Sequence, residues 1–409
     1  MKSTIIERMR SVRKIILSCF VGSVTALTTI AFALQVINPK LPPPFHSPSA
    51  NNRPQVIPRP DGAELHLPGG FGIDVYAEGF ERPRFMLQGP SKEILLSDST
   101  EGGSVYALLD KNQDFKADTK QKLIGGLDRP YGLALWKGYL YIAEATRLKR
   151  YRYDAQRMTL GPGEELVSMK DFDKGHWTRT VLFDGQGTKM YLTIGSGSNV
   201  STGEDPRRAA INSYNPDGTG HQIFAAGLRN VIGLRWYPGT DVLWAAVQER
   251  DGLGDDLVPD YLVAVQQGGF YGWPYAYLGP NEDPRNKGQQ PDLVKKTLVP
   301  DVFLGAHVAV LDLLFYTGQQ FPEAYRGGAF LAFHGSWNRT ERVGYSVAFV
   351  PFKKGRPVSG PQDFLTGFRL GPDKREVWGR PVGLLQLSDG SLLVSEDGGN
   401  KIWRIFYKG

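Results

Sequence analysis

The chain has 409 residues, 41% hydrophobic and 22% charged, a globular composition long enough to bury a large core. Its 49 glycines, 28 prolines and many aromatics favour short strands and tight turns over helices. The formal net charge is +6, but five basic residues and one acid lie within 1–33, so the rest carries +2 once the leader's +4 is set aside; charge gives no argument for a nucleic-acid partner.

At the N-terminus, Lys2, Arg8, Arg10, Arg13 and Lys14 precede an uncharged run from Ile15 to Ile37 that contains the small-x-small pattern Ala31–Ala33. Residues 1–37 therefore read as a secretory signal peptide or as a retained N-terminal membrane anchor, since about 20 apolar residues suffice to span a bilayer. Basic residues before the run place the bulk of the chain outside the cytoplasm in either case, in the periplasm or the extracellular space. The single cysteine, Cys19, lies in this leader, so the exported part has neither disulfides nor thiol chemistry. Residues 38–64 are Pro-rich at their start, "NPKLPPPFHSPSANNRPQVIPRP", and are expected to act as a linker that spaces rather than packs.

From residue 65 to 409 one pattern returns: a polar head, an apolar strand, a Gly/Asp/Pro turn and a second strand. The heads are Arg82, Arg129, His176, Arg229, His307 and Arg380, spaced by 47, 47, 53, 78 and 73 residues. Paired strands at a period near 45–50 mark propeller blades, and six heads predict an all-β, six-bladed β-propeller. The alternative is a β-sandwich with accidental similarity between segments. In a propeller the first strand of each blade lines the central channel, so the heads should ring one mouth. Several guanidinium groups around one concave site suit an anionic, carboxylate-bearing ligand. The same positive charge should depress the pKa of His176 and leave a neutral imidazole able to accept a proton.

Other segments carry possible chemistry. "QERDGLGDDLVPDY" (248–261) gathers Glu249, Asp251, Asp255, Asp256 and Asp260 in a Gly-broken loop, a composition that suits Ca²⁺ as well as a solvated acidic loop. "DKNQDFKAD" (110–118) has Asp110, Asn112, Asp114 and Asp118 in calcium-loop register, but Phe115 stands where the turn wants glycine, and a polar hairpin turn is expected. "GGFYGWPYAY" (268–277) is either turn packing or a flat wall for a planar ligand. "HGSWNR" (334–339) places His334, Trp337 and Arg339 at a strand end, as a channel-mouth loop or as ordinary packing. There is no P-loop, dinucleotide fingerprint, nucleophile elbow or zinc-spaced histidine pair.

"GHWTRTVLFDGQGTKMYLTIGSGSNV", "GLRNVIGL", "ERDGLGDDLVPDY", "GGFYGWPYAY", "HGSWNR" and "GRPVGLLQLSDGSLLVSED" resemble the glucose/sorbosone dehydrogenase family over roughly residues 65–407. That resemblance implies a soluble propeller quinoprotein that uses pyrroloquinoline quinone (PQQ) and Ca²⁺. It further implies oxidation of a sugar or related alcohol or aldose by hydride transfer to the quinone, with electrons passing to an external acceptor. His176 matches the family's general base. Arg229 and Asn230 match the pair at the quinone edge, and Arg380 the partner of the cofactor carboxylates. Arg179, Trp337 and Arg339 are further candidate cofactor contacts. The calcium loop maps onto Arg250 and Asp251, whose backbone carbonyls would serve, with Asp255 and Asp256 nearby. Three departures stand out. "QERD" replaces the "EHGP" of glucose-oxidising members, Val382 occupies the place of a second last-blade arginine, and "HGSWNR" lacks the fifth-blade lysine. These point away from glucose and toward the sorbosone-like branch. A calcium-dependent, lactonase-like hydrolase and a non-catalytic binding propeller are the alternatives.

Overall fold

A computed structural model describes residues 38–409; the leader expectations concern residues 1–37 and lie outside the described residues. Six four-stranded antiparallel sheets form the predicted six blades. The first strands of blades I to VI are Pro83–Gln88, Leu133–Trp136, Val181–Phe183, Asn230–Trp236, Val310–Phe315 and Pro381–Gln386. First strands of consecutive blades lie against one another at five of the six junctions, and between blades III and IV Met190–Ile194 lies against Asn230–Trp236, so that together they form the inner ring. The wide late spacings of the heads are insertions: residues 265–301 in blade IV, with the short helix Pro291–Lys295, and the hairpin around Phe352–Pro357 in blade V. Among the described residues no helix is long and apolar enough to cross a membrane.

Second strands such as Ile94–Asp98 and Ala329–Phe333 are buried at every position, because each blade is covered on both faces by its neighbours. Trp244 and Leu262 of blade IV, for example, pack on Leu313 and Leu331 of blade V. The ring is closed by Phe71–Glu78, which pairs antiparallel with Lys401–Tyr407 to supply the outer strand of blade VI. Beneath the head residues, Phe85, Tyr131, Ile232, Leu311 and Val382 from five blades join in one apolar cluster. The Tyr131 hydroxyl crosses the axis to donate to the Leu311 carbonyl at 3.0 Å. The channel therefore has a floor.

The repeated glycine of the head motif now has a physical reason. A Cβ on Gly383 would lie 2.2 Å from the Arg84 carbonyl oxygen, one on Gly132 2.6 Å from that of Arg179, and one on Gly233 2.7 Å from the Leu313 nitrogen. Each is the backbone of the next blade, so only glycine lets first strands approach this closely.

The segment expected to be a spacer packs instead. Residues 38–57 run across the loops of blades IV to VI as a strap. The Phe45 amide donates to the Leu253 carbonyl at 2.8 Å, and Ser47 Oγ accepts from the Asp255 amide at 2.8 Å. Asn52 Nδ2 donates to the Thr340 carbonyl at 2.8 Å, while Arg342 donates to the Asn52 carbonyl at 2.9 Å. Gln55–Val56 then pairs in parallel with Glu376–Val377. The prolines keep the segment extended at low entropic cost, and its Ser and Asn side chains supply the partners that composition alone does not reveal.

Gly383→Ala should destabilise the fold by roughly 1–3 kcal/mol, because the clash is with backbone that has no room to shift. Gly185→Ala, where a Cβ meets nothing within 4 Å, should be close to neutral. Chemical denaturation of both variants checks this.

Candidate active site

In blades I, II and VI the head is held by the acid at the end of the second strand. The Asp98 carboxylate accepts from the amides of Glu81 and Arg82, Glu144 from the Asp128 amide at 2.8 Å, and Glu396 from the Arg380 amide at 3.2 Å. Blade III breaks this pattern. The strand end carries no acid there, because the register sets Ile194 where blades I, II and VI have Asp98, Glu144 and Glu396. The His176 amide donates instead to the carbonyl of Ser196, further along, at 3.0 Å. The Nδ1 of His176 lies 2.9 Å from that carbonyl and 3.0 Å from Ser196 Oγ. A carbonyl can only accept, so Nδ1 carries the hydrogen and Nε2 keeps its lone pair. Burial and the adjacent Arg229 guanidinium push the His176 pKa down to about 3, so the ring is neutral at neutral pH.

His176 lines a cleft of about 560 Å³ at the channel mouth. Arg380, Asn230 and Trp337 line the same cleft, as do Arg84, His334 and Asp397. An inner chamber of about 90 Å³ adjoins it through His176 and Trp337 and is lined by Arg229, Glu249, Asp251, Asp260 and His307. The structure thus brings His176, Arg229, Asn230, Arg380 and Trp337 together.

Arg229 is locked in place. Its Nε donates to the Asn199 carbonyl at 3.1 Å, one terminal nitrogen to the Glu249 carbonyl at 2.7 Å, and the other to Asn199 Oδ1 at 3.0 Å. Asp251 lies 3.5 Å from Arg229 and 3.2 Å from His307 Nδ1. Burial alone would raise the Asp251 pKa, but the His307 hydrogen bond and Arg229 outweigh it and hold the carboxyl below its usual range. Burial likewise opposes charge on His307, yet Asp251 and the Gly254 carbonyl, 2.9 Å from Nε2, raise its pKa. Both nitrogens of His307 face acceptors, so it stands as an imidazolium. Burial pushes Glu249 up to about 8, and its Oε1 has no hydrogen-bond partner.

Other candidates fall elsewhere. Arg179 is fully buried behind the cleft, where its terminal nitrogens donate to the carbonyls of His176, Thr178 and Phe172. It braces the His176 loop and contacts no ligand space. The Arg250 side chain is buried against Asp283 at 3.1 Å, while its expected role rests on its backbone carbonyl, between Glu249 and Asp251 of the chamber lining. Arg339 pairs with Asp256 at 3.0 Å and donates to the Asp255 carbonyl; all three belong to the rim beneath the strap. Asp255 and Asp256 are therefore not chamber ligands, because Arg339 and the strap's Ser47 draw that half of the acidic loop outward. Arg129 pairs with Asp128 at 2.8 Å and stands over Trp177, outside the cleft lining. The loop 268–277 is turn packing, with Tyr271, Trp273 and Tyr277 buried. Trp273 Nε1 donates to the Asn199 carbonyl at 2.9 Å, so this loop supports Arg229 through Asn199. In 110–118 the carboxylates cap the loop's own amides, as Asp110 does for Phe115 at 2.9 Å and Asp114 for Lys116 at 2.9 Å. That is the expected polar turn. Among the described residues no three His, Cys, Asp or Glu side chains converge as a metal site.

Val382 is buried in the channel floor, which explains the missing second arginine of the last blade. Blade I supplies the cation instead: Arg84 pairs with Asp397 and lies 5.1 Å over the Trp177 ring. The Arg82-x-Arg84 alternation, which sets both on one strand face, is the signal that could have found it. Asn199, the hub that holds Arg229 and the Asp251 amide, carries no sequence signal beyond its place in a Gly/Ser turn.

The sequence matches the TrAA12-like family model over residues 65–259 and 282–408. The chain belongs to this family. A curated relative from Borreliella burgdorferi, described as an uncharacterized protein, is 30% identical over 364 residues, covering 84% of this chain and 91% of the relative. Among solved structures, the iodide structure of the Trichoderma reesei carbohydrate-active enzymes family AA12 protein superposes with a TM-score of 0.72 at 23% identity, covering 84% of this chain and 98% of that one. The holo form of the pyranose dehydrogenase PQQ domain from Coprinopsis cinerea gives 0.71 at 20% identity, covering 85% and 98%. At these identities the structures establish a shared fold. The resemblance read from the sequence to the soluble PQQ sugar dehydrogenases is borne out.

The depressed pKa of His176 makes an acid-sensitivity prediction for this TrAA12-like propeller. The unfolded chain protonates this imidazole as pH falls below about 6.5, whereas the native state resists until about 3. Native stability should therefore fall with pH across that window, by up to about 1.4 kcal/mol per unit from this group. His176→Gln should flatten that part of the profile, as read by urea denaturation at stepped pH.

Proposed function

We propose that this protein is an exported, PQQ-dependent oxidoreductase that acts on a sugar or related alcohol or aldose and passes electrons to an external acceptor. One observation carries the proposal: a single cleft sets a neutral imidazole with an open Nε2 beside an excess of guanidinium groups. The basic leader with its apolar run supports export to the periplasm or beyond, by a cleaved signal or a retained anchor. The Coprinopsis cinerea neighbour is by its description a PQQ domain, which favours the same cofactor here.

The cleft fits a flat polycarboxylate. Arg82, Arg84 and Arg380 outnumber the one carboxylate, Asp397, among its lining residues. Arg380 lies near the ring of Tyr345, and its Nε is anchored to the His334 carbonyl at 3.2 Å, so its orientation is set before a ligand arrives. Trp337 and Trp177 offer aromatic surface. When bound, PQQ would supply a two-electron acceptor for the hydride on the carbinol carbon. His176 Nε2 would take the hydroxyl proton, and Ser196 keeps the ring in the tautomer that can do so. Ligand carboxylates near Arg229 would cancel part of the field that depresses His176 and so strengthen it as a base. Arg229, in the inner chamber that adjoins the cleft at His176, would stabilise negative charge on an electron acceptor held there.

For calcium, the unpartnered Glu249 Oε1 and the Asp251 carboxylate are oxygen donors of the right kind. They do not complete a shell, so a Ca²⁺ ion in the inner chamber would depend on oxygens from the bound cofactor.

Titration of the protein with PQQ and Ca²⁺ should shift the quinone absorbance, and added aldoses should then reduce a dye. His176→Ala should lower kcat by roughly 10²–10⁴ while retaining PQQ. Arg380→Ala should instead weaken PQQ binding at least about tenfold. An unshifted absorbance, or full dye reduction by His176→Ala, refutes the proposal.

A further inference from the structure

Blades V and VI place a second imidazole in the cleft. His334 follows the strand Ala329–Phe333, and its Nε2 lies 2.7 Å from Asp397 Oδ1. The other oxygen of Asp397 pairs with Arg84. Burial would raise the Asp397 pKa, but Arg84, His334 and Arg380 outweigh it and hold the carboxyl far below the usual range. An ionised carboxylate only accepts, so the hydrogen of His334 sits on Nε2. Burial and Arg380 push the His334 pKa down to about 4 against the pull of Asp397, and the ring is neutral. Nδ1 therefore keeps its lone pair. It makes no hydrogen bond among the described residues and is not one of the sealed, unpartnered atoms, while His334 lines the cleft.

The cleft thus presents two kinds of polar group. Arg82, Arg84 and Arg380 only donate, and suit carboxylate or quinone oxygens. His334 Nδ1 only accepts. A carboxylate or carbonyl oxygen against it would set lone pair against lone pair, whereas a hydroxyl would donate to it. We propose that His334, oriented by Asp397, accepts a hydrogen bond from a hydroxyl of a polyhydroxylated substrate other than the one oxidised, and so determines which sugar is taken. Asp397 is then a positioning residue. The inference rests on the sugar-oxidoreductase reading and adds to it the side chain that selects the substrate.

Two measurements on the full exported chain test it. With PQQ and Ca²⁺ supplied, kcat and KM are read for D-glucose, D-galactose, D-mannose and their monodeoxy derivatives. His334→Leu should raise KM roughly tenfold for the preferred sugar with little change in kcat. The penalty should vanish for the one derivative that lacks the bonded hydroxyl, and His334→Gln, which retains an acceptor, should recover part of it. An equal penalty on every sugar, or a loss confined to kcat, overturns the proposal. Long-range ¹⁵N–¹H spectra of the cofactor-free protein should show His334 as the neutral Nε2–H tautomer at and above about pH 5, with Nδ1 shifting when the same sugars are added. An Nδ1–H tautomer, or no shift with any of them, overturns it. If the wild type neither binds PQQ nor reduces dye, the redox reading fails alone, and the spectra still decide the role of His334.

Discussion

The structure depends on closure of a ring. Six twisted sheets make a channel only if the last is tied to the first, and Phe71–Glu78 does this by pairing along Lys401–Tyr407. Closure forces the first strands into contact and leaves room only for glycine at Gly132, Gly233 and Gly383. It also brings six strand entrances, distant in sequence, to a common mouth. The site is a consequence of that geometry: residues 82, 176, 230 and 380 meet because each opens a blade.

The electrostatics follow from an unequal distribution of carboxylates. In blades I, II and VI the acid at the end of the second strand is consumed by backbone amides. Those acids do not neutralise the guanidinium groups of the cleft. Blade III has Ile194 at this position, and the carbonyl of Ser196, further along, faces the imidazole of His176. The apolar strand end leaves no carboxylate there to raise the His176 pKa, while Ser196 separately fixes the tautomer. The inner chamber is the counterpart. There Asp251 is shared between Arg229 and the His307 imidazolium, and burial pushes the Glu249 carboxyl up to about 8.

Much of this was legible in the chain itself, for identifiable reasons. The heads recur because each blade repeats the same entrance, so the fold, His176, Arg229, Asn230 and Arg380 could be read from periodicity and motif. The candidates that failed share a different cause. Arg179 and Arg339 each lie near a head or an acidic loop in sequence, but their side chains turn to Phe172 and Asp256. An arginine's reach exceeds the spacing of neighbouring strands, so sequence proximity does not say which partner it takes. The strap at 38–57 was missed because its prolines suggest a spacer while its contacts are with loops more than 200 residues away.

The sequence by itself determined the repeat, the strand content, the glycines at the inner ring and the residue types that head each blade. These are local properties, set by side-chain alternation and backbone sterics. Only the tertiary structure decided which heads face the cleft, that Arg84 replaces the cation lost at Val382, and that Asp397 holds His334. It also decided that the N-terminal segment, through Val56, reaches the mouth of the cleft. Those outcomes depend on which polar groups meet once the ring closes and on how burial orders their pKa values. Neither can be read from residues whose partners lie on other blades.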